Sequence, residues 1–248
     1  GAAAGVVQVL SLMWLRTAMN YEYRYGGSGM TGTIRKLYEE GGVPRLYRGV
    51  GFALVQSPLS RFGDAAANAA VPQLLGALGE GGVIPPLPLA TTQAVASLAA
   101  ASWRIGITPI DTFKTSLQVQ GNLTALRRRV DGEGVAVLWS GAFAAALATL
   151  VGNYPWFLTY NTLDGVIPQP DGRLEALARR AFLGVAASST SDVCSNSLRV
   201  VKTGLQTSDD GSQSPIDVAT RVLDTDGLSG LLGRGLQTRL AVNCLQGA

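Results

Sequence analysis

The chain has 248 residues, enough for one large domain or two small ones, is 47% hydrophobic but only 15% charged, and carries a net charge of +3. That charged fraction is well below the roughly 25% usual in soluble domains, and with 31 glycines it suits helices packed closely in a membrane, where small residues let backbones approach. The sequence contains no histidine, which excludes the commonest general base, the commonest metal ligand and any Ser-His or Cys-His nucleophile.

Taken in chain order, the elements are apolar segments joined by basic ones. Residues 1–15 are uncharged and begin inside an apolar run, with no charged-then-apolar leader and cleavage site. The glycine-rich "GGSGMTGT" at 26–33 imitates a phosphate loop, but Thr33 stands where the lysine belongs, so a turn is expected. Gly49–Gly79 is apolar except for Arg61 and Asp64. Gly81–Trp103 and Gly141–Leu163 contain no Asp, Glu, Lys or Arg, and each exceeds the ~20 helical residues that a bilayer core requires. Ala181–Leu198 is interrupted only by Asp192 and small polar residues, and Gly235–Ala248 only by Arg239. Both chain ends read as truncated helices. Cys194 and Cys244 form neither a CxxC pair nor a zinc site, and read as small buried hydrophobes. Polar residues spread through such segments predict a shared polar interior rather than six lipid-facing rods.

A repeat organises these elements. "WLRTAMN" (14–20), "TFKTSLQ" (112–118) and "VVKTGLQ" (200–206) each place a cation, a threonine, an apolar residue and an amide in one register. Short amphipathic patches follow at Thr33–Glu39, Leu123–Val130 and Ile216–Leu223, and then glycine elements end at Gly49, Gly141 and Gly235. The unit is a long helix, a short surface helix, a turn and a second long helix, three times over. The intervening segments 16–48, 114–140 and 202–234 hold 13 of the 20 Lys and Arg residues. One consistently basic side is what the positive-inside rule and anionic headgroups select.

The stretch Pro109-Ile-Asp111-Thr-Phe-Lys114 with Gln118, and the glycine elements, resemble the mitochondrial carrier family, whose threefold Pro-x-[Asp/Glu]-x-x-[Lys/Arg] motif closes each odd helix. The resemblance implies an all-α membrane protein. Six tilted transmembrane helices in three pseudo-repeats (about 1–80, 81–170 and 171–248, the last truncated in helix six) would surround a water-filled cavity, with short amphipathic helices on the matrix side. It implies a multi-pass protein of the mitochondrial inner membrane, although plastids and peroxisomes also hold carriers. Its members exchange solutes by alternating access without covalent chemistry, so no enzyme activity, cofactor, metal or nucleic-acid partner is expected.

The resemblance places the matrix gate at Arg16, Asp111, Lys114, Lys202 and Arg199, braced by Gln118 and Gln206. Here the sequence departs from the family pattern. Ser11 and Ser197 occupy the proline positions, and Met13 and Arg199 occupy two of the three acid positions. By the family's pairing rule Asp111–Lys202 is the one gate pair that forms, and the surplus cations need lipid phosphate or another chain. On the opposite gate, Tyr160-Asn161-Thr-Leu-Asp164 puts an amide for the acid and an acid for the base. Candidate cavity residues are Gln56, Arg61, Asp64, Asn153 and Tyr154, with Arg61 and Asp64 either facing the cavity or pairing at i,i+3. Candidate lipid-phosphate positions, with cardiolipin as the expected lipid, are Arg48, Gly49, Gly141 and Gly235. Two functions follow: an accessory or structural subunit of a larger inner-membrane assembly, motivated by the incomplete gates, or an active carrier of small anionic metabolites, nucleotides or amino acids.

Overall fold

The computed structural model describes residues 2–27, 29–83, 85 and 87–247. Gly1, Ser28 and Ala248 lie outside the described residues, so the expected end of the sixth apolar segment is not among them. The described residues form α-helices, one 3₁₀ turn and loops. The helices are α1 (Ala2–Tyr25), α2 (Gly29–Leu46), α3 (Val50–Glu80), α4 (Leu89–Gln120), α5 (Thr124–Glu133), α6 (Ala142–Val166), α7 (Arg173–Gln206), α8 (Pro215–Gly233) and α9 (Leu236–Gly247), with the 3₁₀ turn at Val135–Trp139 between α5 and α6.

The long helices contact one another in the order α1, α3, α4, α6, α7, α9 and back to α1, closing a ring. The short helices α2, α5 and α8 lie at one end of it, where α1, α4 and α7 finish. Small residues permit the close approaches. Ala144, Ala148 and Gly152, spaced four apart, are buried along one face of α6 and Ala146 is buried on another, and a Cβ at Gly152 would meet Ser191 Oγ of α7 at 2.8 Å. Large apolar side chains cover the outside: Phe62, Leu98, Phe143, Leu158 and Phe182 are all more than half exposed. Cys194 and Cys244 are exposed too, correcting the expectation that both are buried; each points out of the ring, where small apolar side chains are equally at home.

Two glycine positions in each repeat set the turns. Gly42, Gly134 and Gly227 have φ of 66°, 87° and 65° with ψ near ±160–180°, a backbone region essentially confined to glycine. Gly49, Gly141 and Gly235 are left-handed at φ 84°, 79° and 66°. Each lies against the backbone of the next long helix. A Cβ at Gly49 would meet the Lys114 carbonyl at 3.0 Å, at Gly141 the Lys202 carbonyl at 2.9 Å, and at Gly235 the Met19 carbonyl at 3.0 Å. The arrangement is cyclic: each short-helix turn seats on the odd helix of the following unit.

Arginines tie the same junctions by satisfying carbonyls that helix ends leave free. Arg45, buried and paired with Glu40 (3.0 Å), donates to Gln118 O (2.8 Å) and Val119 O (2.9 Å), and Arg48 donates to Gly121 O, all at the end of α4. Arg234 donates to Arg24 O at the end of α1 (3.2 Å). The equivalent residue in the middle unit is Ser140, too short to reach. Arg129 of α5 takes over, donating to Leu205 O and Ser208 O at the end of α7 and to Ser140 Oγ (3.1 Å). Burial lowers the Arg129 guanidinium pKa, an effect opposed by the nearby Glu133, Asp209 and Asp210 carboxylates.

At α8, Ser214 and Asp217 form a capping box: Ser214 Oγ accepts from Asp217 N (3.2 Å) and Asp217 Oδ2 from Ser214 N (2.8 Å). The hydrogen bonds from the Ser214 backbone and side chain hold the Asp217 carboxyl below its ordinary value. Its contribution to α8 is therefore fully present above the unfolded carboxyl pKa, about 3.9, and is lost as the pH falls through the lower folded value. Hydrogen exchange corrected for intrinsic rates is expected to show the first turn of α8 losing protection as the pH falls below about 4. The Asp217→Asn variant is expected to show reduced protection at pH 7 and little further change on acidification.

Candidate functional site: a cationic cavity inside the helix ring

The ring encloses a polar cavity of about 360 Å³. Its lining includes seven cations, Arg16, Arg61, Arg104, Lys114, Arg199, Lys202 and Arg239, but two carboxylates, Asp64 and Asp111. A third carboxylate, Asp192, sits buried behind the α7 wall at 3% exposure. Asp111 and Asp192 are each held by two cations and Asp64 by one, because leaving a charge unpaired in so enclosed a site is costly.

Asp111 closes the cavity at the end near the short helices. Lys202 of α7 pairs with Asp111 Oδ2, and Lys114 with Oδ1 at 2.6 Å. The family-type expectation of a lone Asp111–Lys202 pair is therefore corrected: Lys114 joins it. The reason is Met13, fully buried and packed with Val9 and Ala53. It offers Lys114 no carboxylate across the α1–α4 interface, so Lys114 turns back one helical turn onto Asp111 and donates to Gln56 Oε1 (3.2 Å). Beneath lies an amide layer. Gln206 donates to Asp111 Oδ2 and to Thr112 Oγ1, each at 3.2 Å. Gln118 directs its amide to Met13 Sδ (3.6 Å) and accepts from Asn20 (2.6 Å).

Higher in the cavity the pairs also differ from simple i,i+3 expectation. Asp64 pairs with Arg104 of α4 (2.6 Å) rather than with Arg61, which turns to Gln8 of α1. Crossing between helices is favoured here because α3 and α4 are in intimate contact where Trp103 packs over Gly63. Asp192, which the sequence offered only as an interruption of an apolar run, is the second hub. It accepts from Arg239 (3.0 Å), from Asn243, and pairs with Arg199 at 3.5 Å. Arg199 and Arg239 thus have a carboxylate from their own protein. Among the described residues no carboxylate pairs with Arg16, which lines the cavity together with Arg239 and Arg61.

The remaining candidates divide. Gln56, Arg61, Asp64 and Asn153 line the cavity, Asn153 donating to Ser97 Oγ at 3.0 Å. Tyr154 does not. It is 73% exposed and lies about 100° further round α6 than Asn153, which carries it past the edge of the cavity-lining face. Gly49, Gly141 and Gly235 seat helices on one another and Arg48 straps the end of α4, as described above. On the opposite end, Asp164 pairs with Arg179 of α7 (2.8 Å), and Arg179 also donates to Ile167 O, so this acid pins the α6–α7 connection.

Helices closed around a charged cavity, sealed at one end by an ion-pair and amide layer, make a carrier-type fold. A family model described as Mitochondrial carrier protein matches residues 85–170 and 175–248, about two thirds of the chain. The chain belongs to the mitochondrial carrier family, whose members are integral proteins of the mitochondrial inner membrane and transporters rather than enzymes. The match leaves out residues 1–84, the part in which Ser11 and Met13 replace the proline and the acid. No curated protein matches the chain significantly. Among the described residues one helical segment, Val135–Val166, is long and apolar enough by composition to cross a membrane; α1, α3, α4, α7 and α9 each carry charges that face the cavity.

Proposed function

We propose that this chain is a solute carrier for multivalent anions, built as six tilted membrane-crossing helices in three repeats (1–80, 81–170 and 171–248) with α2, α5 and α8 on the matrix side. The excess of cations over carboxylates on the cavity wall supports this most directly. An interior with so many positive charges attracts anions and repels cations, and a carrier needs such a field where its substrate binds. The cavity-facing placement of charges explains how helices of modest hydropathy sit in a bilayer: their outer faces are apolar and their charges share one aqueous interior. Anionic lipids such as cardiolipin would meet the basic matrix side, near Arg48, Gly49, Gly141 and Gly235.

Purified protein in liposomes loaded with di- and tricarboxylates, phosphate or nucleotides should show saturable counter-exchange of at least one such anion. Neutral and cationic solutes should not exchange. A second reading, an accessory subunit of a larger inner-membrane assembly, draws on Met13: with an apolar side chain at an acid position, the gate layer lacks one of its ion pairs. Absence of exchange for every anion, together with co-migration in a large complex on a native gel, would favour that second reading.

A further inference from the structure

The three interfaces between the odd helices can be compared position by position. Between α4 and α7, Asp111 meets Lys202 and takes the amide of Gln206. Between α1 and α4, the same register holds Met13, which takes the amide of Gln118. Between α7 and α1, the register holds Arg199 facing the Arg16 side, where an acid would complete the layer. The amide of that unit, Asn20, turns away from Arg199 and donates to Gln118. This interface therefore has guanidinium groups on both walls and no carboxylate between them.

The nearest compensation is Asp192, two helical turns from Arg199 along α7. It is shared among Arg199, Arg239 and Asn243. Arg16, Arg199 and Arg239 against this one carboxylate leave two positive charges unbalanced at the cavity wall. An independent observation marks the same place. Tyr23 is 2% exposed and lines the cavity, and its hydroxyl has no hydrogen-bond partner. Arg16, Arg199 and Arg239 line the same cavity. A buried hydroxyl donor left unused beside surplus guanidiniums is the donor set of an oxyanion.

We propose that the α7–α1 side of the gate layer is an oxyanion subsite, in which a carboxylate or phosphate group of a dianion sits among Arg16, Arg199, Arg239 and the Tyr23 hydroxyl. The bound anion replaces the carboxylate that this interface lacks, so the layer closes fully only when the cavity is loaded. This rests on the carrier reading above and gives it a substrate class and a coupling rule: dianions stabilise the closed layer, whereas monoanions leave one guanidinium uncompensated.

The test is thermal unfolding of the purified full chain in phosphatidylcholine nanodiscs, which present no anionic headgroup. Inorganic phosphate and succinate are titrated against chloride at matched ionic strength. The wild type is expected to gain several degrees in Tm, saturably, with phosphate or succinate but not with chloride. Arg199→Asp supplies the missing carboxylate opposite Arg16; its Tm without added anion should rise, and its dianion response should vanish. Tyr23→Phe should leave the anion-free Tm in place and raise the half-saturating dianion concentration about tenfold, the scale of one hydrogen bond to a charged group. A wild type without any dianion response, or a response of full size in R199D, would overturn the subsite; should R199D not fold, an unaltered response in Y23F together with Arg199→Gln would do the same. Exchange in liposomes with an unaltered response in R199D would sink the subsite and keep the carrier. A response lost in R199D without exchange would keep the subsite and sink the carrier.

Discussion

Asp111→Asn is expected to lower the stability of the protein by about 3 kcal/mol or more, the usual cost of removing one partner from a buried charge cluster. Asp111 is 7% exposed and is the carboxylate shared by Lys114 and Lys202. An amide of the same shape keeps the volume but leaves two ammonium groups facing one another across the α4–α7 interface. Gln206 cannot compensate, because its Nε2 already donates to Asp111 Oδ2 and would face a hydrogen-bond donor in half of the amide's orientations. At roughly 2–4 °C per kcal/mol for a chain of this size, the transition should fall by about 6–12 °C. Removing one of the two cations as well, in the Asp111→Asn/Lys202→Met double variant, should recover part of the loss, since the uncompensated charge rather than the absent attraction carries most of the cost. An unchanged melting temperature in D111N would show that Asp111 does not anchor the layer.

Asp192→Asn has an effect of comparable size and a different signature. Asp192 is 3% exposed and neutralises Arg199 and Arg239 while orienting Asn243. Its loss leaves Arg16, Arg199 and Arg239 in one region of the cavity without a carboxylate, and a destabilisation of about 3 kcal/mol is again expected. Unlike D111N, this deficit lies beside the proposed oxyanion subsite, so phosphate or succinate should raise the Tm of D192N by more than that of D111N, whose gain should match the wild type's. The comparison is made by thermal unfolding of both variants with and without the anions. Equal recovery in the two would mean that the anions act through general screening rather than at a site.

Much of this architecture was legible in the residues because its signals are local. The order of long and short helices followed from apolar runs and from glycines whose required backbone only glycine adopts, at Gly134 and Gly141 for instance. The Pro109–Lys114 motif pointed to the family because three residue types at fixed spacing on one helix repeat a mechanical requirement. Side-chain partnership was not legible in the same way. The spacing of Arg61 and Asp64 allowed a pair within α3, yet each crossed to a different helix. Asp192 stood in the sequence as a mere break in an apolar run, and Arg129 as one of three consecutive arginines. Their roles depend on which helix lies opposite, and no spacing along α7 or α5 encodes that. Tyr154 was misplaced for a simpler reason, a single residue of helical phase.

What the sequence determined by itself was the class: long, small-residue-rich helices in a threefold rhythm, basic at one end, without histidine, with two of three gate acids replaced. Those are properties of residue type and period, and a chain carries them whatever its neighbours. What only the tertiary structure decided was how the charge imbalance is resolved. Asp111 serves two lysines because Met13 offers Lys114 no carboxylate, Asp192 serves two arginines from a position outside the motif, and Arg16 has no carboxylate partner among the described residues. Electrostatic pairing falls off over a few ångströms and is set by distances between helices, so it is decided only when the ring closes.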